Sequence, residues 1–141
     1  MIKRSRTLLH LALPFVLAAV ATGCSKSGEG RQPTFAVTGK VLDGTKPVAN
    51  ATVVFHPVGD AGMKPHGKTD ANGEFKLTTY DGDDGAPAGK YKVTVELWAT
   101  VTADGGPVNK IPAKYARPDS SGFTAEVAAG PTELQAFTLK K

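Results

Sequence analysis

The chain has a single cysteine, Cys24, so no disulfide can form within it. Its three histidines are His10, His56 and His66, and none sits in an H-E-x-x-H or H-x-x-E spacing. That excludes a zinc centre of the helical metalloprotease type. No G-x-S-x-G is present, and two histidines outside the first 23 residues leave no recognisable Ser-His-acid set. No cofactor is expected. Charge of one sign is also lacking. Of the 17 basic residues, Lys3, Arg4 and Arg6 lie in a leader with no acidic residue, which leaves 14 basic against 13 acidic residues beyond residue 23. Such a balance has no basic stripe and argues against nucleic acid as a partner. Past residue 21 there is no long apolar run, and no segment repeats with a helical period.

What is present begins with the leader. Met1–Arg6 is basic, and Leu8–Ala21 is apolar apart from His10 and Pro14. The apolar stretch falls short of the roughly 20 residues that span a bilayer. Small residues Ala21, Thr22 and Gly23 precede Cys24, which is signal-peptide architecture over residues 1–23. Ala21-Thr22-Gly23-Cys24 resembles the lipobox of bacterial lipoproteins, with Ala where that family most often has Leu. The resemblance implies that the Cys24 sulfur carries fatty (palmitate-type) acyl chains and that Cys24 becomes the first residue of an exported, membrane-anchored envelope protein. Two chains hold a protein stably where one does so only marginally. An ordinary signal peptide, leaving a free thiol, is the alternative. Residues 24–34 carry no apolar side chain after the cysteine and are rich in Ser, Gly and charge, the composition of a flexible tether.

From Phe35 to the end the dominant period is two. Tyr91, Val93, Val95 and Leu97 alternate with Lys92, Thr94 and Glu96, and shorter runs around Val37, Phe75 and Phe123 do the same. This places one face of each segment in a core and the other in water. Asp43-Gly44, Asn72-Gly73, Asp81-Gly82, Asp84-Gly85 and Asp104-Gly105 are turn dipeptides. The pattern predicts strands at 35–42, 51–57, 66–70, 73–79, 89–98, 121–128 and 133–139. The expected fold is therefore all-β: one seven-stranded immunoglobulin/transthyretin-like β-sandwich over residues 35–141, with a small closed barrel as runner-up.

Three stretches resemble carboxypeptidase regulatory-like (transthyretin/prealbumin-like) domains. They are Val37-Thr38-Gly39-Lys40-Val41 with Lys46-Pro47-Val48-Ala49-Asn50-Ala51-Thr52-Val53, then Gly67-Lys68-Thr69-Asp70-Ala71-Asn72-Gly73-Glu74-Phe75, then Ala88-Gly89-Lys90-Tyr91-Lys92-Val93-Thr94-Val95. The resemblance implies a prealbumin-like sandwich acting as an accessory binding module. It implies no particular ligand, because fold does not fix function.

Two features remain as candidate sites. Asp81, Asp83 and Asp84 concentrate carboxylates in one turn and form a weak calcium candidate; counted from Asp81, an EF-hand would need Gly and an acid where Ala86 and Lys92 stand. The bland alternative is a solvated acidic turn. Residues 99–120 form the longest stretch without a strand signal, opening after Trp98 and carrying Lys110, Lys114, Tyr115 and Arg117. Long loops are often functional and Trp, Tyr and Arg are common interface anchors, so these five form a candidate partner-binding set. Alternatively, Ile111, Pro112 and Tyr115 fold back as a lid on the core. The expected function is a membrane-anchored, non-catalytic binding or scaffolding module contacting envelope protein. The alternative is a carbohydrate-binding module for surface or wall polysaccharide, which requires an exposed aromatic platform.

Overall fold

Alternation decides which side chains are buried. In the longest strand Tyr91, Val93 and Val95 are buried, and the intervening Lys92 is only half covered. The computed structural model describes residues 30–59, 62–100 and 105–140. The chain divides into two units, Met1–Arg31 and Gln32–Lys141. Only Gly30 and Arg31 of the first are described, so the leader, Cys24 and most of the tether lie outside the described residues.

The second unit is a β-sandwich. Its elements are β1 (Thr34–Phe35), β2 (Val37–Asp43), β3 (Lys46–Pro47), β4 (Thr52–Pro57), β5 (His66–Lys68), β6 (Glu74–Lys76), β7 (Ala86–Pro87), β8 (Gly89–Glu96), β9 (Trp98–Ala99), β10 (Val108–Asn109), the 3-10 turn η1 (Ala113–Ala116), β11 (Phe123–Val127), β12 (Thr132–Glu133) and β13 (Phe137–Leu139). One sheet runs β11-β8-β4-β5, all antiparallel. The other is built on β2, with β6 and β3 antiparallel to it and β12 and β13 parallel. Parallel pairing of the first long strand with the last ones requires a long crossover, here the whole of the intervening sheet.

Each of the seven expected strands contains an observed one, but the last is divided. β12 sets Thr132 opposite Val37, whereas β13 sets Phe137 opposite Val41. The two registers differ by one residue, so an extra residue is accommodated within 134–136. A one-residue insertion in a strand is a bulge, and it reverses which side chains face inward. It turns Phe137 and Leu139 into the core.

Phe55 sits at the centre, with ring centroids 5.6 Å from Tyr91, 6.3 Å from Phe75 and 6.4 Å from Phe137. Burying each such ring contributes about 1.5–3 kcal/mol. Phe75 is stacked on Phe137 and lies across Gly39, where a Cβ would stand 2.5 Å from its ring. Tyr91 donates its hydroxyl to the Pro87 carbonyl at 2.7 Å, which satisfies its polar end inside the core. The two sheets meet along one side, where the backbones of His66 and Thr78 exchange hydrogen bonds of 3.0 and 2.8 Å. At that seam Gly67 lies against the Lys76 carbonyl, so closely that a Cβ would collide with it.

Candidate functional site

The expected partner-binding residues separate. β9 and β10 form a hairpin in which Trp98 stands opposite Asn109. Its base is fixed by the Asn109 carboxamide oxygen, which accepts from the amides of Leu97 at 2.9 Å and Ile111 at 3.1 Å. Trp98 is 55% exposed, and its indole N–H donates to Glu96 Oε2 at 2.8 Å. With that polar edge occupied, the surface it presents to solvent is carbon. Lys110, just past the returning strand, is exposed.

Tyr115 does the opposite. It is 4% exposed and stacked on Phe123 at 5.1 Å. Its hydroxyl accepts from the Lys140 amide at 2.7 Å and donates to the Lys140 carbonyl at 3.1 Å. It is a clamp on the last strand, with Ile111 also buried, and cannot be an anchor for a partner. This corrects the candidate set: a flat ring with a neighbouring apolar partner and a backbone within reach of its hydroxyl is worth more inside than out. Lys114 lies 4.8 Å above the Tyr115 ring and is itself exposed, as is Arg117.

The acidic turn is also spent internally. Asp84 accepts from the Thr79 amide at 2.6 Å and the Tyr80 amide at 3.1 Å. Asp83 takes a positive φ of 58° and its amide donates to Thr78 Oγ1 at 2.9 Å. Among the described residues no three potential metal ligands converge, at Asp81, Asp83 and Asp84 or elsewhere. The turn holds its own backbone instead. His56 is tied to Thr94 Oγ1 at 3.0 Å. Burial, then the neighbouring Lys64, lower its pKa, against an opposing pull from Glu96.

The feature not visible in the sequence is a groove of about 990 Å³ along the outside of the seam between the sheets. Thr52, His66 and Lys68 line it from the first sheet, Thr38, Lys76 and Glu133 from the second, and Asp70 and Asp83 from the turns, so its charges are of both signs. Lys40 and Glu74 also line it and pair with each other at 3.6 Å. By contrast, no ion pair joins Lys68 or Lys76 to any described residue. The groove connects to the tryptophan through Thr52, which stands opposite Glu96, the residue that holds the indole. Its residues come from five strands scattered from position 38 to 133, so no local motif announces it.

No family model matches the chain, and no curated protein matches it. Among solved structures it is similar to a 9R-lipoxygenase from Cyanothece PCC8801, at 20% identity and a TM-score of 0.40, over 76% of this chain and 16% of that one. The chain thus spans 16% of the lipoxygenase's length. It is also similar to a candidate carbohydrate-binding protein from Pseudomonas aeruginosa, at 14% identity and a TM-score of 0.41, over 76% of this chain and 89% of that one.

Proposed function

We propose that this chain is an exported, lipid-anchored protein of the bacterial envelope whose β-sandwich is a non-catalytic binding module. The observation that carries the binding role is the placement of the seam groove and the exposed, hydrogen-bonded Trp98 side by side on one outer face. A large aromatic left exposed on a braced hairpin, next to a groove lined by charged side chains of both signs, is a surface prepared for contact. Two of the titratable groups are committed to structure: His56 to Thr94, and Asp84 to backbone amides. The anchor rests on the leader and on Ala21-Thr22-Gly23-Cys24. The membrane is then one partner, through the lipid on Cys24, and an envelope component is the other.

Cys24→Ala tests the anchor. Metabolic labelling with a radioactive fatty acid is expected to mark the wild-type chain, and the variant is expected to accumulate unlabelled at precursor mass. An unlabelled wild-type protein that has lost its leader would contradict the lipoprotein reading. A polysaccharide ligand is favoured over a protein by the exposed Trp98, which supplies the aromatic platform that reading requires.

A further inference from the structure

The first sheet has one open edge, β11. At the opposite edge β5 meets the second sheet through the His66–Thr78 bridge. The strands that flank β2 in the second sheet are each two or three residues long. β11 is five residues long and keeps one register with β8 throughout, without a bulge. Sheet edges are commonly blunted by Lys, Pro, bulges or short length. Phe123-Thr124-Ala125-Glu126-Val127 has none of these.

Alternation fixes which backbone groups of β11 point outward. The Lys90 carbonyl accepts from the Val58 amide at 2.9 Å, on the β4 side of β8. In β4 the Phe55 amide donates to the Pro65 carbonyl at 2.8 Å, so the flanking Val54 and His56 turn to their β8 partners Thr94 and Lys92. Lys90, Lys92 and Thr94 therefore face β4, while Gly89, Tyr91 and Val93 face Val127, Ala125 and Phe123 of β11. Thr124 and Glu126 are left with amide and carbonyl turned away from the sheet. Ala128 has the same orientation, and its amide reaches the Thr132 hydroxyl at 3.3 Å. Among the described residues no group bonds the outward amides and carbonyls of Thr124 and Glu126, and both residues are exposed.

We propose that β11 pairs antiparallel with β11 of a second copy of this chain, about a two-fold axis at Ala125, so that two first sheets become one. In this register Thr124 stands opposite Glu126 of the second copy, and Glu126 opposite its Thr124. These are the residues whose backbone groups point outward, so each pair exchanges both of its hydrogen bonds. The outer row then reads Lys92, Thr124, and Glu126 and Lys90 of the second copy, which sets no like charges opposite each other. On the inner face the small Ala125 meets its own copy at the axis. Half-buried Phe123 meets Val127, an aromatic against a β-branched side chain. A shift of two residues in one direction sets Glu126 against Glu126. In the other it sets Glu126 against Gly122, whose φ of 71° is not that of a strand. The edge is thus complementary to itself in one register, which favours a second copy over an unrelated strand. An edge this short buries less than the roughly 800 Å² per partner of a standard interface, so copies held at high local concentration pair more readily than dilute ones.

Two differently tagged forms of the full chain, one Thr124→Cys and the other Glu126→Cys, are co-expressed and oxidised in intact cells. Opposite residues of a hydrogen-bonded antiparallel pair lie about 5.5 Å apart at Cα, within disulfide reach. A disulfide between the two forms is expected, above the background of the wild-type chain, whose only thiol is Cys24. Two forms that both carry Lys110→Cys, at an exposed position on another part of the domain, are expected to stay at that background. Adding Thr124→Pro to the Glu126→Cys form removes an outward amide and no β8 bond, and is expected to cut the yield about fivefold. Adding Thr124→Glu instead sets a carboxylate against Glu126 of the other form, with a similar loss expected. Circular dichroism melts of these variants check the fold, and if Thr124→Pro lowers the midpoint then Thr124→Glu carries the test. No disulfide between positions 124 and 126 would overturn the proposal, as would an equal yield from position 110 or an unchanged yield with Thr124→Glu. A disulfide to a different envelope protein in place of the second copy would overturn the self-pairing.

Discussion

Trp98 and Tyr115 are equally plausible anchors when read along the chain, and the fold gives them opposite fates. Tyr115 finds a stacking partner in Phe123 and a backbone in reach of its hydroxyl, at Lys140. Trp98 finds only Glu96 for its N–H and stays more than half exposed. Neither partner is near in sequence except Glu96, so the distinction was not legible from local pattern. It predicts a contrast in stability. Tyr115→Phe removes two hydrogen bonds that pin the last strand and is expected to cost about 1–2 kcal/mol. Trp98→Ala is expected to stay within about 0.5 kcal/mol of wild type, as exposed substitutions do. Urea unfolding of both variants checks this, and the reverse order would mean that the roles are exchanged. The Asp81–Asp84 turn teaches a similar lesson. Its carboxylates look like metal ligands in a list of letters, but Asp84 satisfies two amides of its own loop.

At the scale of elements, period-two alternation and turn dipeptides were enough to place all seven principal strands, because each pattern is local and one face is buried. Two things were not local. The bulge within 134–136 shows only in the change of register between β12 and β13, although Leu134, Phe137 and Leu139 hint at it by breaking strict alternation. The seam between β5 and β6 depends on a close approach of two backbones at Gly67, where a methyl group would meet the Lys76 carbonyl. Gly67→Ala is therefore expected to push the seam apart. Overpacking of this kind costs about 1–3 kcal/mol, read as a lower thermal midpoint in circular dichroism. An unchanged midpoint would show that the seam is looser than the backbone geometry implies.

For the whole molecule, we propose a division of labour in which a leader and a lipidated Cys24 anchor the chain, a polar tether follows and the sandwich binds. The class of fold was legible because composition, turns and alternation agree. The groove was not, since it assembles Thr38, Thr52, Lys68, Lys76 and Glu133 from strands that only the topology makes neighbours.

We propose that the face carrying Trp98 and the groove, and not the rest of the sandwich, contacts an envelope component. Photo-crosslinking in intact cells tests it most directly, with a photoreactive amino acid placed at position 98 in the full lipid-anchored chain, and at position 126 as a control. Glu126 is exposed and lies on β11 of the same sheet, away from the groove. A discrete adduct with an envelope component other than this chain is expected from position 98 and none from position 126. No adduct from position 98, or the same adduct from both positions, would contradict it.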